Sequence, residues 1–106
     1  MISSETIQQF SDLIEHKLDP IKIVLFGSYA KGTQNLHSDL DILVITNKST
    51  VPRFKRGREI RLDLQRIAYI DIDILVYTQQ EIEEWKDVEF SFLNSILKTG
   101  KVIYEK

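Results

Sequence analysis

The chain has 106 residues, of which 42% are hydrophobic and 28% charged, and its formal net charge is −2 at pH 7. These values are typical of one globular domain with its own core. The absence of cysteine excludes a disulfide framework and a Cys-ligated zinc site, and it fits a cytoplasmic location. The sequence has neither a charged-then-apolar leader nor a long apolar run, so we expect no membrane segment.

The first part of the chain predicts one helix and two strands. Residues 3–18 predict an amphipathic helix that Ser3 or Ser4 caps and that Asp19-Pro20 stops. Apolar residues recur along it at helical spacing: Ile7, Phe10, Ile14 and Leu18. Two β-branched runs, over residues 21–26 and 40–46, then predict strands on either side of a loop with turn residues at both ends.

The second part predicts a helix that runs into Ala68, a strand over residues 70–77, two more helices and a small C-terminal edge strand. Gly57 weakens the first half of the first of these helices. Gly100 marks the exit from the last one. Apolar residues expected to face inward are Ile60, Leu64, Ile67, Phe90, Leu93 and Leu97. Trp85 and Phe92 belong either to the core, which is favoured, or to an interface. The order α-β-β-α-β-α-α predicts a mixed α/β fold, a small sheet flanked by helices, in a single domain over residues 1–106.

The octapeptide DLDILVIT, Asp39 to Thr46, returns almost unchanged as DIDILVYT, Asp71 to Thr78. Only these residues match, so the copy does not indicate a repeat architecture. The loop between the first two strands favours antiparallel pairing, and the helix between the second and third makes those two parallel. Ser28 and the starts of both octapeptides are therefore expected at one edge of the sheet.

Alternation along a strand puts Asp39 and Asp41 on one face and likewise Asp71 and Asp73. Carboxylates gathered at one edge raise each other's pKa, and Mg²⁺ suits them because it binds through a few carboxylates and substrate phosphates. His37 lies nearby, but one imidazole does not make a transition-metal site. The alternative is that these strands are half-exposed and their acids simply face water.

Gly27 and Ser28 end the first strand and are expected to start a short helical turn. Glycine lets a phosphate approach the backbone, the first N–H groups of a helix attract anions, and Lys31 adds a positive charge. The pattern is neither a P-loop nor GxGxxG, and an isolated Gly-Ser pair usually makes only a turn. Its predicted position beside the carboxylates favours a site for a triphosphate with its metal ion.

Gly27-Ser28, ten further residues and then Asp39-x-Asp41 resemble the signature of minimal nucleotidyltransferases in the DNA-polymerase-β-like superfamily. The resemblance covers nearly the whole chain, and FGSYAKGTQNLHSDLDILV follows the motif throughout. It implies that Asp39 and Asp41 bind two Mg²⁺ ions and that Gly27 and Ser28 hold the phosphates of a nucleoside triphosphate, most plausibly ATP. A third aspartate would bind one metal ion and help to deprotonate the attacking hydroxyl.

The third carboxylate has two candidates in this sequence. Asp73 is favoured because Ile74 follows it directly in an apolar run, and Asp71 is the reserve.

Short members of this family often pair with a HEPN-domain toxin, and the resemblance then implies AMP transfer to a tyrosine of that toxin. The chain is expected to lack room for an acceptor domain, so a partner or a second copy of the chain would supply the acceptor surface. Two alternatives remain open. One is a non-catalytic module that neutralises a toxin by contact, and the other is an enzyme that modifies small molecules.

Charged residues divide into two groups. The middle helix region is rich in cations: Arg53, Lys55, Arg56, Arg58, Arg61 and Arg66. Acids follow near the fourth helix: Glu81, Glu83, Glu84, Asp87 and Glu89. The favoured interpretation is two solvated helix faces, and the other is that the arginines meet a triphosphate, RNA or an acidic partner. Phe54 is the only aromatic residue among these cations, which does not make a stacking surface, so direct nucleic-acid binding is not expected.

Overall fold

The order of helices and strands along the chain agrees with the order that the sequence predicts. The computed structural model describes residues 1–89 and 91–106. Its helices are α1 (Ser4–Leu18), α2 (Ser28–Lys31), α3 (Arg58–Ile67), α4 (Gln79–Trp85) and α5 (Phe92–Thr99). Its strands are β1 (Lys22–Phe26), β2 (Leu40–Thr46), β3 (Ile72–Thr78) and β4 (Lys101–Glu105), and a 3₁₀ turn spans Arg53–Lys55. The mixed α/β prediction is confirmed, including the short helical turn after β1 and the C-terminal strand.

The four strands form one mixed sheet in the order β3-β2-β1-β4. Strand β1 is antiparallel to both of its neighbours, whereas β2 and β3 are parallel. The register of β2 with β3 places the two similar octapeptides side by side, residue against corresponding residue. Five of the seven pairs are identical: Asp41 with Asp73, Ile42 with Ile74, Leu43 with Leu75, Val44 with Val76 and Thr46 with Thr78.

Helices cover both faces of the sheet. Phe10 and Ile14 of α1, with Ile60 and Leu64 of α3, pack on one face, and α4 and α5 cover the other through residues that include Ile82 and Leu93. Both faces of β2 are therefore buried, and its residues from Ile42 to Ile45 are at most 3% exposed. The polar residues that can meet a ligand are left at the ends of the strands. In the described part of the chain, no helix is long and apolar enough to cross a membrane.

Three of the apolar residues expected in the core are exposed instead: Ile67 (41%), Trp85 (48%) and Phe92 (59%). Ile67 is the last residue of α3, where the helix leaves the sheet. Phe92 opens α5 and meets the edge of Phe26, with ring centroids 5.7 Å apart, but its remaining surface faces outward. Leu97 is partly buried, and Phe90 lies outside the described residues.

Arg56 does not belong to a solvated helix face. Its side chain is only 10% exposed and makes an ion pair of 2.6 Å with Glu81. The same guanidinium donates hydrogen bonds to the carbonyl oxygens of Val51 and Val76. Burial opposes ionisation of Glu81, but hydrogen bonds from Thr78 and Arg56 outweigh it and lower the pKa of that carboxyl. Arg56 therefore ties the segment after β2 to β3 and to the start of α4.

Candidate active site

The turn after β1 has a backbone conformation that requires glycine. Gly27 has φ 70° and ψ −151°, a region that is essentially restricted to glycine. The N–H groups of Ala30 and Lys31 both donate to the carbonyl oxygen of Gly27 at 3.2 Å, so α2 begins at Ser28. The N–H groups of the first residues of a helix have no acceptor within the helix. The predicted turn is thus present, and it offers donors of the kind that bind phosphate.

The carboxylate of Asp41 lies directly against this turn. Asp41 pairs with Phe26 across β1 and β2, which brings its side chain beside the next residue, Gly27. A Cβ atom at Gly27 would collide with Oδ2 of Asp41. Only glycine therefore allows the backbone and the carboxylate to come this close. The glycine turn and the carboxylate of Asp41, both expected at one edge of the sheet, are therefore in contact there.

The third carboxylate comes from the neighbouring parallel strand. Asp73 is the partner of Asp41 in the β2–β3 ladder, so their Cα atoms are about 4.8 Å apart, as in any sheet. Both side chains belong to the face that α4 and α5 cover, because they alternate with Leu40 and Ile72 on the opposite face. Asp39 precedes β2 and is exposed.

The electrostatics of the site distinguish the two aspartates of the second octapeptide. The pKa of Asp41 is raised, first by partial burial and then by the nearby charges of Asp73 and Asp39. Asp71 is not among the charges that raise it. It lines, with Asp39 and His37, a neighbouring cavity of about 320 Å³. Asp73 therefore belongs to the carboxylate group around Asp41, and Asp71 lies to one side.

The side chains do not form a preassembled metal cage. Among residues 1–89 and 91–106, no group of three or more His, Asp or Glu side chains is arranged to hold a metal ion. Repulsion between ionised carboxylates is a sufficient reason for the side chains to stay apart. The donor set itself fits magnesium, because it consists of carboxylate oxygens with an uncompensated negative charge at Asp41.

Lys31 ends α2 and is exposed, and it forms no ion pair within the described residues. Its predicted contact with phosphate therefore stays a prediction.

Tyr29 positions the turn, and the sequence reasoning missed it. Its ring is 7% exposed and belongs to the core beneath α1. Its hydroxyl accepts a hydrogen bond of 3.2 Å from the N–H of Ile2. The aromatic residue therefore anchors the short helix α2 from below. The available signal was an aromatic residue inside an otherwise polar turn, FGSYAKG.

The mixed sheet, the glycine–serine turn and the adjoining carboxylates together define the class of nucleotidyltransferases. The sequence profile of the nucleotidyltransferase domain family matches residues 7–102. The chain therefore belongs to the nucleotidyltransferase domain family, and the predicted enzyme class is confirmed.

Known proteins similar to this chain agree with that family. A protein of Methanocaldococcus jannaschii, provisionally named a protein adenylyltransferase, is 30% identical over 87 residues, which cover 76% of this chain and 87% of that one. A crystal structure described as a toxin–antitoxin with AMP-PNP has a TM-score of 0.68 at 23% identity, over 99% of this chain and 75% of that one. A mutant of the toxin–antitoxin MntA–HpeT has a TM-score of 0.66 at 22% identity, over 93% and 73%. At these identities the two structures establish a shared fold.

Proposed function

We propose that this domain transfers AMP from ATP to a hydroxyl group of a partner protein. The partner is a HEPN-domain toxin modified on a tyrosine, and this chain is its antitoxin. One observation carries the proposal: the carboxylate of Asp41 stands in register with Asp73 and directly against the glycine of a phosphate-type turn. The name of the Methanocaldococcus relative supports protein adenylylation, and the toxin–antitoxin neighbours support the class of partner.

Magnesium is part of the proposal, and Asp39, Asp41 and Asp73 are the residues that would hold two ions. When bound, Mg²⁺ lowers the pKa of an attacking hydroxyl and neutralises charge on the triphosphate and the leaving pyrophosphate. Partial burial, and then the charges of Asp73 and Asp39, raise the pKa of Asp41, and this supports the assignment because a cation would offset both effects. Asp73 is the preferred third ligand over Asp71 since it is the residue paired with Asp41.

The chain's own residues bind and orient the triphosphate and accept a proton from the acceptor hydroxyl. Gly27 lets the triphosphate approach the backbone, and Ser28 donates hydrogen bonds to the β- and γ-phosphates, with Lys31 adding a positive charge. Asp73 accepts the proton of the acceptor hydroxyl. A bond forms between that oxygen and the α-phosphorus, the bond to the β-phosphate oxygen breaks, and pyrophosphate leaves. Catalysis of this type depends mainly on positioning and on charge neutralisation.

An exposed apolar surface supports a protein acceptor. Trp85, Val88 and Phe92 are 48%, 42% and 59% exposed and lie on or between α4 and α5. Phe92 packs on Phe26, the residue paired with Asp41, so this surface begins beside the carboxylates. A protein docked there would bring a hydroxyl group close to the turn. The absence of cysteine is compatible with the cytoplasmic location that the proposal requires.

Label transfer tests the proposal. The wild-type chain, Mg²⁺, α-labelled ATP and the copurified partner should give a labelled partner, and mass spectrometry should place AMP on a tyrosine. Asp41→Asn and Asp73→Asn should abolish labelling without loss of partner binding. Asp71→Asn is the matched control and should keep labelling. If labelling survived Asp73→Asn but not Asp71→Asn, the third carboxylate would be Asp71. If no HEPN protein copurified with the chain, the proposed class of partner would be wrong.

The second candidate, neutralisation by contact alone, rests on the same exposed surface. It predicts that the wild-type chain neutralises its partner without transferring label and that Asp41→Asn neutralises equally well. Replacement of Phe92 by serine would then abolish neutralisation, whereas Lys98→Glu, an exposed change on the same helix, would not.

A further inference from the structure

A basic cavity lies at the opposite end of the sheet from the carboxylates. It measures about 640 Å³ and lies between the C-terminal end of α1, the segment after β2 and the beginning of α3. Thr46, the last residue of β2, borders it five residues beyond Asp41, which corresponds to about 17 Å along the strand. The volume suits a small organic ligand. None of the residues assigned to nucleotide transfer lines this cavity.

The charge of the lining is predominantly positive. Five cationic residues line the cavity: Lys17, Lys48, Lys55, Arg56 and Arg58. Lys17 is paired with Asp63 at 2.7 Å, and Arg56 is paired with Glu81. The other three form no ion pair among residues 1–89 and 91–106. Glu59 adds one negative charge to the lining against these three positive charges, so the cavity favours an anion.

Two further hydrogen-bond donors at this cavity lack acceptors, and a bound anion or its water molecules would supply them. The hydroxyl Oγ1 of Thr46 is buried and has no hydrogen-bond partner within the described residues. An unpaired buried hydroxyl is costly and calls for an explanation. Helix α3 begins at Arg58 without a side-chain cap, so its first N–H groups have no side-chain acceptor. Thr46 and Arg58, the first residue of α3, both line the cavity.

Apart from Ser49, the remaining lining is apolar and comes from Leu18, Val51, Ile60 and Val76. A cavity whose lining includes both cations and aliphatic side chains suits a ligand with a phosphate group and an organic body. Inorganic phosphate alone would leave the aliphatic side chains without a contact. A long acidic polymer would leave most of its charges outside a cavity of this size.

We propose that this cavity is a second ligand site that binds a phosphate ester of nucleotide size, separate from the turn at Gly27. Its phosphate is held by Lys48, Lys55 and Arg58. Thr46 and the start of α3 provide neutral donors. The assignment does not depend on the proposed transfer reaction, because it uses none of the same residues.

The test is a titration of the full-length ¹⁵N-labelled chain with AMP, in EDTA so that divalent cations are absent. We expect saturable shifts of the amide signals of Thr46, Lys48 and Arg58. Lys48→Glu and Arg58→Glu should each weaken AMP binding about tenfold, as expected for a charge-assisted contact with phosphate. Thr46→Val should weaken it a few-fold, whereas Lys98→Glu on α5 is the matched charge reversal and should change nothing. All three charged residues are exposed, so the variants should fold.

Competing ligands identify the chemistry. Ribose 5-phosphate should displace AMP, whereas adenosine should not, because the phosphate provides the main attraction. Shifts confined to Gly27, Ser28 and Asp41 would overturn the proposal, as would an AMP affinity unchanged by Lys48→Glu and Arg58→Glu together. Saturation by an RNA oligonucleotide or a polyglutamate peptide, but not by AMP, would overturn the small-molecule assignment.

Discussion

Replacing Gly27 with alanine tests the contact between the turn and the carboxylate of Asp41. A side chain at φ 70° and ψ −151° costs about 1–3 kcal/mol from backbone strain alone. The added Cβ would also collide with Oδ2 of Asp41, so the half-buried carboxylate must rotate away from the turn, at little further cost in stability. Gly32 supplies the matched control. It has φ 73° and ψ 18°, but nothing lies within 4 Å of an added Cβ, so Gly32→Ala carries only left-handed strain of about 1–2 kcal/mol.

Thermal unfolding and label transfer measure the two consequences separately. For a domain of this size, 1 kcal/mol lowers the melting temperature by about 4–8 °C. Gly32→Ala should therefore lower it by about 5–10 °C, and Gly27→Ala by at least as much, because its backbone conformation is the more strained of the two. At a temperature where both variants are folded, Gly27→Ala should reduce label transfer by about 100-fold or more, because it displaces Asp41 and blocks the approach of phosphate. Gly32→Ala should keep near-normal transfer per folded molecule.

Two results would refute this reasoning. An unchanged melting temperature for Gly27→Ala would show that Gly27 does not hold a backbone conformation restricted to glycine. Normal transfer by a folded Gly27→Ala variant would show that the turn does not need to approach the triphosphate.

Three further predictions concern stability. The pKa of Asp41 is raised on folding, so its ionised form destabilises the native state. Asp41→Asn should therefore raise the free energy of unfolding at pH 7. If this gain in stability persisted below the ordinary aspartate pKa, it would contradict the reasoning. The pKa of Glu81 is lowered, so its contribution to stability should be present above the ordinary glutamate pKa and be lost as the pH falls through the lowered value. Glu81→Gln should therefore reduce the free energy of unfolding, measured in urea, by about 1–3 kcal/mol at pH 7 and by little in acid. At Gly100, an added Cβ would lie 2.5 Å from Cγ1 of Val24 and 2.6 Å from the carbonyl oxygen of Ile96. Gly100→Ala should therefore reduce stability by about 1–3 kcal/mol without altering label transfer per folded molecule. Unchanged stability would show that α5 shifts easily to make room.

The arrangement of the site could be predicted because it follows from connection rules. The bounds predicted for β2 match the structure, and the helix between β2 and β3 fixes those strands as parallel. Once both facts hold, the starts of the two octapeptides must lie together. The apolar run after Asp73 favours that residue over Asp71 as the third carboxylate, and the register of the two strands adds that Asp73 is the residue paired with Asp41.

Other features depend on contacts that have no local signal. Arg56 binds the carbonyl oxygen of Val76, twenty residues away in the chain, and nothing in a run of basic residues marks one of them as buried. Trp85 and Phe92 are large and apolar, but helices over a four-stranded sheet leave their ends uncovered, so size and hydropathy overestimate burial there. The cavity at Thr46 was also missed, since a threonine that ends an apolar strand is unremarkable in sequence.

The pairing of two nearly identical strands bears on self-association. Strand β3 is outermost in the sheet, and its inner neighbour is almost the same peptide in parallel register. A β3 strand from another molecule presents the same ladder, and in-register stacking of like segments is the geometry of fibrils. Each added strand would place another aspartate about 4.8 Å from Asp73, and Arg56 already occupies the carbonyl of Val76. The repulsion between these aspartates, which favours binding of a cation, therefore also opposes the addition of further strands at this edge of the sheet.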